Sequence, residues 1–158
     1  MIDWVIDKKG EKLDNVVIET DREKGLTDRE LKRECFLYAR KNFQGRLFKN
    51  TYTDRDISVS RDGLDEWYNK TKSRVQALSI KRLDSLLENG KLIDQTSDNY
   101  KRQYVEGFIY LSASCGVNGT NYNAVIIVKQ TKGNPDKFYY YYLQGIKIEP
   151  AQKMPANQ

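Results

Sequence analysis

The sequence YVEGFIYLSAS (104–114), CGVNGT (115–120) and NYNAVIIVKQ (121–130) decides the fold. The dipeptide Asn118-Gly119 lies between two strand-like runs, and this is the strongest short-range signal of a β-hairpin. A turn at Lys132 to Asp136 leads into a third strand, Lys137 to Ile148. Lys91 to Asp94 predicts a short strand ahead of the hairpin. The C-terminal half therefore predicts an antiparallel β-meander of about four strands.

Two helices are marked by their N-terminal capping signals. Thr27 followed by Glu30 predicts a capped helix that ends near Phe43, and Ser73 followed by Gln76 predicts a second that ends at Asn89-Gly90. The second helix has a broad apolar arc, made of Val75, Leu78, Ile80, Leu83, Leu86 and Leu87. Between the two helices we expect either a strand pair or a strand after a turn at 47–60, and one helical turn at 64–69.

These elements together predict an α+β fold in which N-terminal helices pack on the antiparallel meander. A length of 158 residues suits one domain. We expect an N-terminal arm at residues 1–26, the α+β domain at residues 27–149 and a loose tail at residues 150–158. No apolar run approaches the length of a membrane-spanning helix, and the N-terminus has no signal-peptide pattern. We therefore expect a cytoplasmic protein, of a bacterial host or associated with a phage.

The residue types restrict the chemistry. The chain has no histidine, which excludes a Ser-His-Asp triad, a Cys-His pair and a His-ligated zinc site. Cys35 and Cys115 fall in different predicted elements, so we expect reduced, partly buried thiols. Carboxylates cluster in the sequence at Asp56, Asp62, Asp65 and Glu66, but their spacing matches no metal-binding loop. We therefore expect a solvated acidic turn, and neither a metal nor a cofactor.

The segment KTKSR (70–74) is the most informative for binding. The net charge of +5 suits a polyanionic partner, although many small domains are equally basic. Lys70, Lys72 and Arg74 surround the start of the second helix, where the helix dipole disfavours cations and favours anions. The segment could therefore bind a phosphate, or it could be a solvated basic loop in which Ser73 only caps the helix.

Two groups of side chains allow more than one interpretation, namely the polar residues of the second helix and the tyrosines of the last strand. Gln76 and Ser79 fall on the apolar arc of the helix, where they could bond to strand backbone or point into a site between helix and sheet. In the last strand, Tyr140 and Tyr142 share one face, and Tyr139 and Tyr141 share the other. One pair is expected to pack under a helix. The other could fill a core edge, or could lie on the open face and stack on bases or donate a proton.

The order of helix, strand, capped helix and meander resembles the nuclease-like domains of the barnase–EndoU–colicin–RelE group. Such domains occur in phages and mobile elements, at the C-terminus of Mu F-like head morphogenesis proteins or in large polyvalent proteins. The resemblance covers about residues 27–149. The residues that carry it are NTYTDRDISVS (50–60), Gly63-Leu64, Glu66-Trp67, Lys72 to Arg74, Gln76, Leu78 to Ile80, Leu83 to Asn89, Asn121-Tyr122, Val128-Lys129 and Phe138 to Tyr140.

The resemblance implies a metal-independent ribonuclease that acts as a toxin or effector domain. Many relatives have a histidine soon after the position of Gly63 and another in the strand after the helix, and this chain has neither. RelE-like members instead resemble a design in which Lys, Arg and Tyr do the chemistry. By that likeness Lys72 and Arg74 would hold the phosphate, and Lys129 or Tyr140 would move a proton.

Four further residues, Lys70, Gln76, Ser79 and Tyr142, would contact the RNA. The expected partners are RNA and either a cognate immunity protein or a phage head protein, and no membrane. The alternative is a catalytically inactive relative that binds RNA or a protein as an accessory domain in phage head assembly.

Overall fold

The computed structural model describes residues 4–6, 12–97, 105–132 and 139–151. Its strands are β1 Trp4–Ile6, β2 Lys12–Asp14, β3 Leu47–Lys49, β4 Asp56–Ser58, β5 Lys91–Ser97, β6 Val105–Val117, β7 Thr120–Lys132 and β8 Tyr139–Pro150. Its helices are α1 Asp21–Lys24, α2 Asp28–Asn42, α3 Arg61–Lys70, α4 Arg74–Ser79 and α5 Leu83–Asn89, with a 3-10 turn at Ile80–Arg82 between the last two. The α+β prediction is confirmed.

The predicted meander forms most of a six-stranded sheet, whose spatial order is β3-β4-β8-β7-β6-β5. β5, β6, β7 and β8 are antiparallel neighbours, as the hairpin signal and the strand pattern predict. At the hairpin turn Asn118 has φ 51° and Gly119 has φ 81°, and Asn-Gly is the pair that tolerates this backbone best. β4 extends the sheet by pairing in parallel with β8, and β3 pairs with β4. The predicted turn at 132–136 and the predicted loop at 97–101 lie almost wholly outside the described residues.

The helix predicted from Ser73 to Asn89 is interrupted, which corrects the expectation of one continuous helix. Ser79 is fully buried, and its hydroxyl donates to the Gln76 carbonyl oxygen at 2.6 Å. The N–H of Ile80 bonds instead to the Ala77 carbonyl, which is the shorter 3-10 pattern. A buried serine that bonds back to its own helix therefore marks the break, because it competes for the carbonyl that the next turn needs.

The other two helices are set by their caps. α2 begins at the predicted capping box, in which Thr27 Oγ1 accepts from the Glu30 N–H at 3.1 Å and Glu30 Oε1 accepts from the Thr27 N–H at 2.9 Å. α3 is longer than the single turn predicted, because the Ser60 side chain caps it by accepting from the Gly63 N–H at 3.1 Å. Ser60 was not recognised as an N-cap in the sequence, and this is why α3 was predicted to be too short.

The core lies between the helices and one face of the sheet. On β6 and β7 this face presents Ile109, Leu111, Ala124, Ile126 and Val128, each with no exposed surface. The largest side chains that the helices contribute are Leu31, Leu64, Trp67, Leu78, Leu83, Leu86 and Leu87. Both cysteines are buried and free, as predicted. Burial raises the pKa of the Cys35 thiol to about 11 and that of the Cys115 thiol to about 12, so neither is poised as a nucleophile.

The segment that precedes α1 lies against the edge of β6. Val17 forms a parallel bridge with Val117 and has only 5% of its surface exposed. Asn15 adopts φ 52°, and its Nδ2 donates to the Ser114 carbonyl at 2.7 Å. Arg82 Nε donates to the Val16 carbonyl at 2.8 Å. The segment therefore contributes to the core and covers part of an otherwise unpaired strand edge.

Candidate functional site

The candidate site is the face of the sheet opposite the core, here called the open face. Successive residues of a strand alternate between the two faces, so the neighbours of the buried residues point outward. Lys129 on β7 lies between its cross-strand neighbours, Phe108 on β6 and Tyr142 on β8. All three side chains are half-buried, in contrast to the fully buried row behind them. A lysine and two aromatic residues thus lie side by side on three adjacent strands.

Tyr140 lies one step further along the open face. It is the cross-strand neighbour of Thr131, and 52% of its surface is exposed. The predicted alternation of Tyr140 and Tyr142 against Tyr141 is confirmed, because Tyr141 pairs with buried Ile57 and packs against the core. The guanidinium of Arg55 lies 4.9 Å from the centre of the Tyr141 ring.

Helix α3 forms one wall of a groove along the open face. The groove has a volume of about 280 Å³ and is lined by Glu66 and Lys70 from α3 and by Phe108, Tyr110, Ile127, Gln144 and Gly145 from the sheet. Lys70 Nζ pairs with Glu66 Oε1 at 2.6 Å. Phe108 belongs both to the groove and to the row of Lys129 and Tyr142. The groove and that row are therefore continuous.

A glycine brings α3 close enough to form this wall. A Cβ placed on Gly63 would lie 2.1 Å from the backbone oxygen of Leu143, a distance that no side chain can occupy. β8 pairs with β4 only at Tyr141 and Tyr142, so its edge is free of strand partners from Leu143 onward. α3 packs against that edge, and this packing fixes Glu66 and Lys70 over the open face.

Arg74 is placed elsewhere, with its guanidinium bonded to the chain itself. Nη1 donates to Asp28 Oδ1 at 2.9 Å and to the Leu26 carbonyl at 3.0 Å. Nη2 donates to Glu19 Oε2 at 2.7 Å and to the Glu23 carbonyl at 3.0 Å. The hydrogen bonds that Arg74 donates to Asp28 and Glu19 raise the pKa of its guanidinium above the usual value. Asp28 and Glu19 thus bind the guanidinium that the sequence analysis expected to hold a phosphate.

The remaining predicted residues of the helix start are also away from the open face. Lys72 is exposed, and its Nζ donates to the Asn69 carbonyl at 3.4 Å. Gln76 Nε2 donates to the Ile146 carbonyl on β8 at 2.7 Å, which is the strand-backbone partner that one reading expected. Ser79 is buried within the helix break. Of the eight predicted site residues, the open face brings together Lys129, Tyr140 and Tyr142, with Lys70 in the adjoining groove.

Sequence reasoning missed three residues of this surface, namely Phe108, Tyr110 and Glu66. Phe108 and Tyr110 alternate with the buried residues Ile109 and Leu111, so the period of two along β6 contained the signal. Glu66 was grouped with an acidic turn, because its helix was predicted as a single turn. Among the described residues, no group of three or more His, Cys, Asp or Glu side chains is arranged to hold a metal.

A larger polar pocket, of about 640 Å³, lies at the edge of β6 near Asn15 and Ser85. Its polar groups largely bond to one another. The Ser85 hydroxyl donates to Asn15 Oδ1, Asn89 Nδ2 donates to the Ser85 carbonyl at 3.0 Å, and the Ser112 hydroxyl donates to Asn123 Oδ1 at 2.6 Å. Because these polar groups already bond to one another, the pocket is a weaker candidate for binding a ligand than the open face.

No helix in the part of the chain that the structure describes is long and apolar enough to cross a membrane. Comparison with known proteins supplies a family. The family model of large polyvalent protein-associated domain 3 matches residues 27–141. Neither the curated proteins nor the solved structures include a match. The predicted association with polyvalent proteins is confirmed, and the likeness to nucleases stays a prediction. Since the match covers well over half of the chain, from the Thr27 cap of α2 into β8, the protein belongs to the large polyvalent protein-associated domain 3 family.

Proposed function

We propose that this domain binds single-stranded RNA across the open face and cleaves it without a metal. The observation that carries the proposal is the row of Phe108, Lys129 and Tyr142 on three adjacent strands. Aromatic side chains on an uncovered sheet stack on unpaired bases, and a lysine among them pairs with the phosphate. Exposed Tyr140 extends the row by one further stacking position.

Cleavage would use the RNA's own 2′-hydroxyl. Its oxygen attacks the adjacent phosphorus, the bond from phosphorus to the 5′-oxygen breaks, and a 2′,3′-cyclic phosphate and a 5′-hydroxyl result. The reaction needs a base for the 2′ proton, an acid for the 5′-oxygen and a cation for the phosphorane. We assign the base to Glu66, the acid to Tyr142 and the cation to Lys129. Lys70, which pairs with Glu66 at 2.6 Å, orients that carboxylate.

This assignment places the proposed reaction on the open face of the sheet, whereas the sequence analysis expected it at the start of α4. Lys129 keeps its predicted place in the site, and Tyr142 takes the proton-transfer role that the resemblance gave to Lys129 or Tyr140. Arg74 is not used, because its five-donor guanidinium already bonds to four acceptors of the chain. Membership of a family associated with polyvalent proteins supports a phage or mobile-element setting, and a ribonuclease there would act as a toxin or effector.

A second candidate function is RNA binding without cleavage, as an accessory domain. The observation that favours it is the bonding of Arg74 to Glu19 and Asp28, which removes the strongest cation from the predicted reaction centre. The stacking row would serve such a binder unchanged. The two functions therefore predict the same RNA affinity and differ only in whether product forms.

Incubation of the purified chain with RNA in the presence of EDTA tests both functions. We expect products with 2′,3′-cyclic phosphate ends, lost in Glu66→Gln and Lys129→Gln and reduced at least tenfold in Tyr142→Phe. Tyr52→Phe is the matched control, because Tyr52 is an exposed tyrosine that lines the other pocket. Retained binding with no cleavage by the wild type would select the accessory function. Absence of RNA binding, or equal activity in all variants, would reject the site.

A further inference from the structure

Helix α2 carries four cations and one aromatic residue on the same side. At about 100° per residue, Arg29, Lys32, Arg33, Phe36 and Arg40 fall within an arc of about 100°. Arg29, Arg33 and Arg40 are exposed, while Lys32 and Phe36 are half-buried. The buried side of the helix, with Leu31, Cys35 and Ala39, points elsewhere. We call these five residues the basic arc.

The carboxylates of α2 lie outside the basic arc and have other partners. Glu30 completes the capping box at Thr27, and Glu34 pairs with Arg22 of α1. Within the described residues, none of the four cations of the arc forms an ion pair with a carboxylate. Other cations on the surface are paired, such as Lys24 with Asp21, Lys49 with Asp54 and Arg61 with Asp65. The arc therefore gathers four positive charges that no ion pair among the described residues offsets.

Aromatic rings hold two of these cations in place. Lys32 Nζ lies 4.3 Å from the centre of the Tyr68 ring on α3, and Arg40 Cζ lies 5.9 Å from the centre of the Phe36 ring. The two rings also contact each other, with their centres 4.8 Å apart. Ring faces that a cation covers are not available to stack on a base. The arc is therefore suited to binding the phosphates of a nucleic-acid backbone rather than to stacking on bases.

Lys72 brings a fifth cation to the same surface. Partial burial, and then the charge of Lys72, lower the pKa of Lys32 below its usual value. Two ammonium groups that repel each other are both stabilised by an anion placed between them. Lys70 lies in the groove beside α3, and Lys72 is near enough to Lys32 for the two charges to interact. Lys70, the last residue of α3, thus supplies a cation to the groove, and Lys72, in the link to α4, supplies one to the arc.

We propose that the basic arc and Lys72 bind the phosphate backbone of the RNA strand whose bases lie on the open face. This inference rests on the proposed function and adds a second contact surface to it. From Arg29 to Arg40 the arc extends for about 16 Å along the helix axis. A strand that leaves the groove past Lys70 meets Lys72 and then the arc. Contacts of this kind are independent of sequence and weaken steeply with salt.

The test compares two oligouridylates, one of about 4 nucleotides and one of about 20, since a single-strand site on one fold begins at about 4. The arc variant replaces Arg29, Arg33 and Arg40 with glutamine. The matched control is Lys24→Gln, Lys49→Gln and Arg61→Gln, which removes the same charge from paired surface cations. Affinity is measured by fluorescence anisotropy over a range of salt concentrations, and folding by circular dichroism.

We expect the arc variant to bind the long oligonucleotide at least tenfold more weakly than the wild type and the short one equally well. Its slope of log affinity against log salt should be smaller by about 2, since each cation contributes about 0.7 for a single strand. Wild-type affinity and slope in the arc variant, or an equal loss in the control, would overturn the proposal. The open face is tested separately by Tyr142→Ala. If that variant binds the short oligonucleotide normally, the proposed function fails, and weaker binding by the arc variant would then show that the arc binds RNA without the open face.

Discussion

The guanidinium of Arg74 and the carboxylate of Glu19 join the start of α4 to the segment before α1. Arg74 Nη2 lies 2.7 Å from Glu19 Oε2, and the Glu19 side chain has only 10% of its surface exposed. Cations are disfavoured at a helix start, because the free N–H groups give that end a partial positive charge. Glu19 and Asp28 offset this charge here. The unusual position of Arg74 is therefore explained within the chain.

Replacement of Arg74 by alanine should lower the stability of the fold and leave RNA affinity unchanged. The substitution leaves the largely buried Glu19 carboxylate without its partner and frees two backbone carbonyls. A double-mutant cycle with Glu19→Gln, measured by urea denaturation, should give a non-zero coupling free energy. A large loss of RNA affinity in a folded Arg74→Ala protein would return this residue to the binding site.

Asn50 should be among the most sensitive polar residues of the fold. It has no exposed surface, and its Nδ2 donates to the carbonyls of Leu87 at 2.7 Å and Gly90 at 2.8 Å. Its Oδ1 accepts from the Thr53 N–H at 2.9 Å. Asn50→Ala should lower the free energy of unfolding by about 3 kcal/mol, because it leaves several buried groups unpaired.

The matched control for Asn50 is Asn42→Ala, on α2. The Asn42 amide donates to the Tyr38 carbonyl at 2.9 Å at an exposed position, so water can replace that bond. We expect its loss to change the free energy of unfolding by no more than about 0.5 kcal/mol. Equal effects of the two substitutions in urea denaturation would show that Asn50 does not hold its loop to the end of α5.

Local chemistry in the sequence was enough to predict the meander and helix α2. The Asn118-Gly119 turn and the Thr27 capping box each depend on residues within a few positions of each other. The surface of the open face followed from strand alternation once the strands were known. Tyr140 and Tyr142 were placed on one face in this way, whereas Lys129 was named only through the family resemblance. Tyr110 was available by the rule of alternation.

Contacts between distant parts of the chain were not predictable. Arg74 and Glu19 are 55 positions apart, and Lys81 and Glu23 are 58 apart. Neither ion pair can be predicted from the spacing or periodicity of residues in the sequence. The partner of a charged residue decides whether it is free for a ligand, so the phosphate reading at 70–74 depended on information that only the fold supplies. The break at Ser79 was likewise hidden, because a buried serine looks the same in sequence whether or not it bonds back to its helix.

The stability of the fold should decline in acid partly through Glu23. Burial raises the pKa of this carboxyl, but hydrogen bonds from Lys81 and Thr20 outweigh burial and lower it below its usual 4.5. A folded-state pKa below the unfolded value contributes stability above the unfolded pKa, and this contribution is lost as pH falls through the folded pKa. The stability difference between wild type and Glu23→Gln should therefore shrink from pH 7 to about pH 3. A constant difference in urea denaturation across that range would contradict this role.

Gly63 should not tolerate a single added methyl group, although it lies in a helix. Alanine is favoured over glycine within helices by about 1 kcal/mol, so Gly63→Ala would stabilise a freely exposed helix. Here the new Cβ would lie 2.1 Å from the Leu143 carbonyl oxygen, which is backbone and cannot rotate away. α3 must then move off the edge of β8, at a cost of about 1–3 kcal/mol. Gly25→Ala is the control, because its Cβ would meet only the Arg22 carbonyl oxygen at 3.4 Å. We expect thermal denaturation to show a lower midpoint for Gly63→Ala alone, and RNA cleavage to fall with it, because the same displacement carries Glu66 and Lys70 away from the sheet.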